Sequence, residues 1–322
     1  MKKPPQDSSP WGKLATEAVN PDSLDLDTMS ALEIVDLMNS EDRKIIQAVR
    51  RERKNIAGAV ELIAGSLQEG GRLYYVGAGT SGRLGVLDAS ECPPTFGTDP
   101  SLVRGLIAGG PGAVWRSVEG AEDDPEAGAR AVGRRVRRGD VVVGVTASSV
   151  TPFVRGALTR SRENGAVTIL VTCVPSLSFS LEGVKVDVLI APVVGPEILT
   201  GSTRLKAGTA TKMVLNMLST GTMILLGKTY GNLMVDLKPW SKKLKDRAVR
   251  IVRMASGASR EEAERCLKKA GWDTKTAILI GLKGLTKKEA LDALDGTGGN
   301  LRKAAGRAPH YTKRIRHRKK SK

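Results

Sequence analysis

Five short apolar runs, separated by stretches of helical pattern, constrain this chain more than any other feature. They occupy residues 73–76, 102–108, 140–146, 167–172 and 186–191. Leu73-Tyr74-Tyr75-Val76 and Val141-Val142-Val143 are apolar at consecutive positions rather than at alternate ones. A strand of that kind buries both faces, which requires helices above and below the sheet. Helical patterns lie between several of the runs, at 124–138 and 152–164, and a long helix near 204–227 closes the domain. The expected class is therefore α/β, a doubly wound parallel sheet, in a domain spanning residues 28–240. A polar arm, residues 1–27, precedes it. Ser30 and Glu33 form a capping box opening a helix at 31–38, and a second helix is expected over 40–67. Ser259 and Glu262 form another box, opening a small three-helix domain within residues 241–305.

Net charge is +17, and ten of the Lys and Arg residues lie within 302–322, where there is no acid. Residues 306–322 read as a disordered basic tail, capable at most of sequence-independent contact with nucleic acid. The rest of the chain keeps only about +7. Its two histidines, His310 and His317, fall in the same terminal stretch. That excludes a Ser-His-Asp triad, a Cys-His pair and a histidine metal site from the folded body. Three scattered cysteines, Cys92, Cys173 and Cys266, contain no C-x-x-C pair. A reducing, cytoplasmic setting is expected, with no signal peptide, no membrane span, no metal and no organic cofactor.

Acid–base chemistry must then fall to carboxylates, Lys or Tyr, and the motifs supply carboxylates beside hydroxyl-rich turns. Gly77-Ala78-Gly79-Thr80-Ser81-Gly82 follows the first run and opens a helix. It satisfies G-x-G-x-x-G, but no acidic residue closes the next strand to hold a ribose. Thr80, Ser81 and free N–H groups at a helix start favour a single phosphate monoester over a dinucleotide, and a purely structural tight turn is the plain alternative. Thr146-Ala147-Ser148-Ser149-Val150-Thr151-Pro152 repeats this logic after the third run. Helix capping by Ser149 or Thr151 is the competing account. Glu91 stands before Cys92-Pro93-Pro94, which is expected to force an extended exit and a rigid turn, with a surface carboxylate at the helix end as the plain alternative. Glu122 sits in an acidic turn with Glu119 and Asp123, which could equally be a solvated cap. Glu197, Ser202, Arg204 and Lys206 open the long helix near 204 and suit an anion site, or simple capping.

The blocks 75–85, 88–95, 118–123, 199–209, 215–220 and 231–236 resemble the N-acetylmuramic acid 6-phosphate etherase family, and so does Asn20-Pro21-Asp22-Ser23. The resemblance runs from about Thr16 to Ala305. It implies a sugar isomerase (SIS) domain, a homodimer, a sugar-phosphate substrate and Glu91 with Glu122 as the acid–base pair. The same blocks are similar to the longer glucokinase regulatory protein, which implies a binding module as an alternative. A sugar-phosphate isomerase is a second alternative. One departure is in the second turn, where the family usually shows Ser-Gly-Arg-Thr and this chain has Ser148-Ser149-Val150-Thr151. The expected site is Glu91 and Glu122, with Gly79, Thr80, Ser81, Gly82, Ser148, Ser149, Thr151, Glu197, Ser202, Arg204 and Lys206 around the sugar phosphate. Glu91 is expected to be the member with the raised pKa, as acid, and Glu122 the ionised base.

Overall fold

The computed structural model describes residues 14–174 and 183–311. The chain divides into two compact units. The first takes the residues up to Ser90 and Pro100–Ser219; the second takes Glu91–Asp99 and the residues from Thr220 onward. Two elements, α3 (Gly79–Phe96) and α6 (Lys206–Leu225), run through the division, which therefore falls well before the expected boundary at residue 240.

The first unit opens with two long helices, α1 (Ala31–Arg51) and α2 (Arg53–Gln68). The Ser30–Glu33 capping box forms as expected. The break between the helices comes at Glu52, not near residue 40. Glu41, Ile45, Ala48 and Val49 form one buried face of α1, and that packing carries the helix through Asn39 and Ser40.

Five parallel strands follow: β1 (Leu73–Gly77), β2 (Val103–Ile107), β3 (Val141–Val145), β4 (Val167–Val171) and β5 (Val188–Ile190). Their order is β2-β1-β3-β4-β5, so the winding reverses between β1 and β3. Helices α4 (Pro125–Val132) and α5 (Pro152–Glu163) cover the face carrying Tyr74, Val76, Val142 and Leu170. On the opposite face Gly85 of α3 lies directly on Tyr75, where an added Cβ would come 2.8 Å from the ring-bearing carbon. Every residue of β1 and β3 is buried, the two-sided burial that the apolar runs require.

Among the described residues, the second unit holds the ends of α3 and α6, a short antiparallel hairpin, β6 (Thr229–Tyr230) and β7 (Leu233–Met234), and five further helices. These are α7 (Lys242–Ser256), α8 (Arg260–Ala270), α9 (Thr274–Lys283), α10 (Lys287–Asp295) and α11 (Leu301–Ala305). Three were expected; α7 and α11 are additional. Ala248, Ile251, Val252 and Ala255 give α7 a buried stripe at helical spacing beneath a surface of Lys and Arg. The tail also begins later than residue 306. The Tyr230 hydroxyl donates to the Arg307 carbonyl at 2.9 Å, His310 N–H donates to the Ala255 carbonyl at 2.9 Å, and the Tyr311 ring sits on the hairpin turn at Gly231. These contacts hold residues 307–311 against the unit; residues 312–322, with His317 and most of the basic tail, lie outside the described residues.

Candidate active site

The turn after β1 is built by two close approaches. A Cβ on Gly77 would lie 2.8 Å from the Gly82 nitrogen, and one on Gly82 would lie 2.6 Å from Ile107 and 2.7 Å from the Gly77 carbonyl oxygen. Strand and helix can meet this tightly only without side chains at both positions. Gly82 N–H donates to the Ala78 carbonyl, so Gly82 serves packing rather than ligand contact. Gly79, at φ +50°, starts α3 and leaves the first-turn N–H groups without intrahelical acceptors. Thr80 points its methyl toward the first turn of α6, at Gly208. An anion is favoured at such a helix start.

Glu122 lies in a 3₁₀ turn, Ala121–Asp123. It lines a cleft of about 170 Å³ with Ala78 and Gly79 of the β1 turn, Arg83 of α3 and Ala108 beyond β2. Its carboxyl touches solvent at the mouth of this cleft. Burial against the wall, and then the charges of Asp123 and Glu119, push its pKa above the usual range. The sequence reading places the ionised base here and the raised group elsewhere; the upward push acts on Glu122. Arg83 was not foreseen in this wall. It sits three residues after Thr80, one turn along the same face, and its Nε donates to the Val114 carbonyl at 3.0 Å.

Glu91 occupies an exposed position on α3. The rigid turn expected there does not form. The helix continues through Pro93 and Pro94 to Phe96, and Gly97 N–H donates to the Pro93 carbonyl at 2.9 Å. Cys92 and Phe96, four residues apart, are both buried and anchor the last turn against the breaking tendency of the prolines. Glu91 belongs to the second unit and Glu122 to the first; Glu91 is not among the residues lining the cleft.

The turn after β3 stands at the other side of β1, across the winding reversal where ligands bind in open sheets. Ser149 has φ +62° and is 1 % exposed. Its hydroxyl faces inward, 2.7 Å from Thr172 Oγ1 and 3.2 Å from the Val174 carbonyl oxygen. Thr146 and Thr151 pair their buried hydroxyls at 2.8 Å. Thr151 is the N-cap residue of α5 but its side chain makes no capping hydrogen bond, and the Ser149 and Thr151 hydroxyls each pair within the turn's own architecture. Ser148 remains half-buried at its surface.

Against this geometry stand the comparisons with known proteins. The family model for the glucokinase regulatory protein N-terminal SIS domain matches residues 55–162. N-acetylmuramic acid 6-phosphate etherase from Synechocystis sp. is 51% identical over 92% of this chain and 97% of its own length. The protein of the same name from Serratia proteamaculans is 54% identical over 92% and 99%. The chain belongs to the N-acetylmuramic acid 6-phosphate etherase family. A phosphoheptose isomerase from Francisella tularensis, 18% identical, superposes over 61% of this chain and 100% of its own with a TM-score of 0.48.

In this etherase-family chain the fifth group of candidates divides. Glu197 is 1 % exposed and accepts the N–H groups of Lys206 at 3.0 Å and Ala207 at 2.9 Å. A carboxylate of the protein itself thus occupies the start of α6, and no ligand anion is needed there. Burial pushes the Glu197 pKa up although those two N–H groups pull it down. Lys206 is buried with its ammonium on Glu41, which also takes Lys44 and, at 3.0 Å, the Asn20 amide. Burial would raise Glu41, but these donors outweigh it and hold its pKa at about 2. Glu197 and Lys206 are therefore both paired with internal groups. Arg204 is exposed and Ser202 half-buried on the loop between them. Another carboxyl outside the sequence reading is Asp88 of α3, which accepts from the Ser219 hydroxyl at 3.1 Å and whose pKa burial raises. Among the described residues no helix is long and apolar enough to cross a membrane, and no group of three His, Cys, Asp or Glu side chains could hold a metal ion.

Proposed function

We propose that this chain is an N-acetylmuramic acid 6-phosphate etherase, which converts its substrate to N-acetylglucosamine 6-phosphate and D-lactate. One observation carries the reading: a chain matching etherases over nine-tenths of its length has an acidic turn and a helix-start anion turn on a single cleft. The first-turn N–H groups of α3, with Thr80 and Ser81, bind the 6-phosphate. That contact is remote from the reacting carbons and supplies positioning. In the open-chain sugar the C1 aldehyde acidifies the C2 hydrogen. Glu122 removes it, and its raised pKa makes it a stronger base for a weak carbon acid. The C3 ether bond then breaks with its electron pair on oxygen, a carboxylic acid donates the proton, the role that the family resemblance implies for Glu91, and lactate leaves. Water adds to C3 of the unsaturated aldehyde, and a proton returns to C2.

Sugar-phosphate binding, a homodimeric state and a cytoplasmic location complete the reading. Leu32, Val35 and Ile46 favour a second copy of the chain as partner. They are exposed and fall within an arc of about 60° on α1.

The test is D-lactate release from N-acetylmuramic acid 6-phosphate, followed together with exchange of the C2 proton into solvent. Removing an acid or base of this kind costs about 10²–10⁴ in rate. Glu122→Ala should lose both signals. Glu91→Ala should lose lactate release and keep C2 exchange. The opposite pattern would exchange the two roles, and wild-type protein that binds the sugar phosphate without releasing lactate would refute the etherase assignment.

A further inference from the structure

Several charged groups of the first unit are buried outside the cleft. Lys206 and Glu41 have side chains only 2% and 3% exposed and are 165 residues apart in sequence. A buried ion pair is weak as a source of stability, because desolvation offsets most of its attraction. This pair instead joins three segments. Asn20, near the chain's start, gives its amide to Glu41 at 3.0 Å and to the Pro196 carbonyl at 3.3 Å. Glu197, the next residue, takes the N–H groups of Lys206 and Ala207. The ten-residue stretch from Glu197 to Lys206 is thus pinned at both ends to one network. Gly208 N–H donates to the Thr203 carbonyl at 2.9 Å, and Thr80 of the anion turn lies against Gly208. Between those ends the stretch carries half-buried Ser202 and exposed Arg204.

We propose that Glu41 and Lys206 are positioning residues, which hold the loop bearing Ser202 and Arg204 over the Thr80 turn so that the sugar phosphate is bound in register. Neither touches substrate; they act through the loop they fasten. The proposal takes its substrate from the etherase reading.

Removing one partner leaves a buried, unpaired charge, so Lys206→Met alone should lower the unfolding temperature by roughly 10 °C and obscure the role. The informative variant is therefore Glu41→Leu with Lys206→Met, which replaces both charges by apolar groups of similar size and should recover most of that loss. If the pair positions the loop, the double variant keeps a KM for N-acetylmuramic acid 6-phosphate raised about tenfold or more, with kcat within about threefold of wild type. A KM that returns to the wild-type value along with the unfolding temperature overturns the proposal. The wild-type protein is run in parallel. Should it release no D-lactate, the etherase reading fails, and the same comparison is made by titrating N-acetylglucosamine 6-phosphate. Affinity weakened tenfold in the refolded double variant supports positioning, and unchanged affinity overturns it.

Discussion

Ser149 stands where the etherase family usually has glycine, in a left-handed conformation at φ +62°. Two substitutions separate what its hydroxyl contributes from what its backbone costs. Ser149→Ala keeps the Cβ, and so keeps the strain, while removing hydrogen bonds to Thr172 Oγ1 at 2.7 Å and the Val174 carbonyl at 3.2 Å. Each buried bond is worth about 1 kcal/mol, so the loss should be about 2 kcal/mol. Ser149→Gly loses the same bonds but relieves left-handed strain of about 1–2 kcal/mol, offset in part by the roughly 0.5–1 kcal/mol that glycine's freer unfolded chain costs. The expected order of stability is Ser, then Gly, then Ala, with Gly about 0.5–1 kcal/mol above Ala. Urea midpoints with a common slope would measure this, and thermal midpoints should differ by about 1–4 °C between Gly and Ala. An alanine variant as stable as the glycine variant would refute the left-handed backbone at this position.

Gly82→Ala would drive a methyl 2.6 Å from Ile107 and 2.7 Å from the Gly77 carbonyl oxygen, and should cost about 3 kcal/mol in urea unfolding; Gly79→Ala meets no atom within 4 Å and should cost only about 1 kcal/mol for its φ of +50°. A base must be ionised, so kcat/KM should rise with pH through the raised pKa of Glu122, and Asp123→Asn with Glu119→Gln should move that limb to lower pH. Ionised Glu41, its pKa held at about 2, favours the fold over its protonated form above the unfolded pKa near 4.5, and that preference disappears as pH falls from about 4.5 through 2. Urea midpoints measured across that range should fall for wild type and change less for Glu41→Gln.

The sheet was legible because parallel strands buried on both faces must be apolar at consecutive positions, a purely local signature. Capping boxes at Ser30 and Ser259 were equally local, and the structure forms both. The glycine turn after β1 could be read for the same reason. Where sequence reasoning failed, the deciding partner was distant. Pro93 and Pro94 carry helix-breaking chemistry, yet burial of Cys92 and Phe96 keeps α3 intact beneath Glu91. Lys206 and Glu197 have the composition of an anion site, but Glu41 lies 165 residues away and Glu197 itself folds onto the helix start. Ser149 offers a hydroxyl, and only its left-handed backbone turns that hydroxyl inward. What the amino-acid order determined by itself was the period of each element, the chemistry at its turns and the family to which the chain belongs. What the tertiary structure decided was which charged groups face a ligand and which face each other, because desolvation and pairing depend on neighbours that no local stretch of sequence specifies.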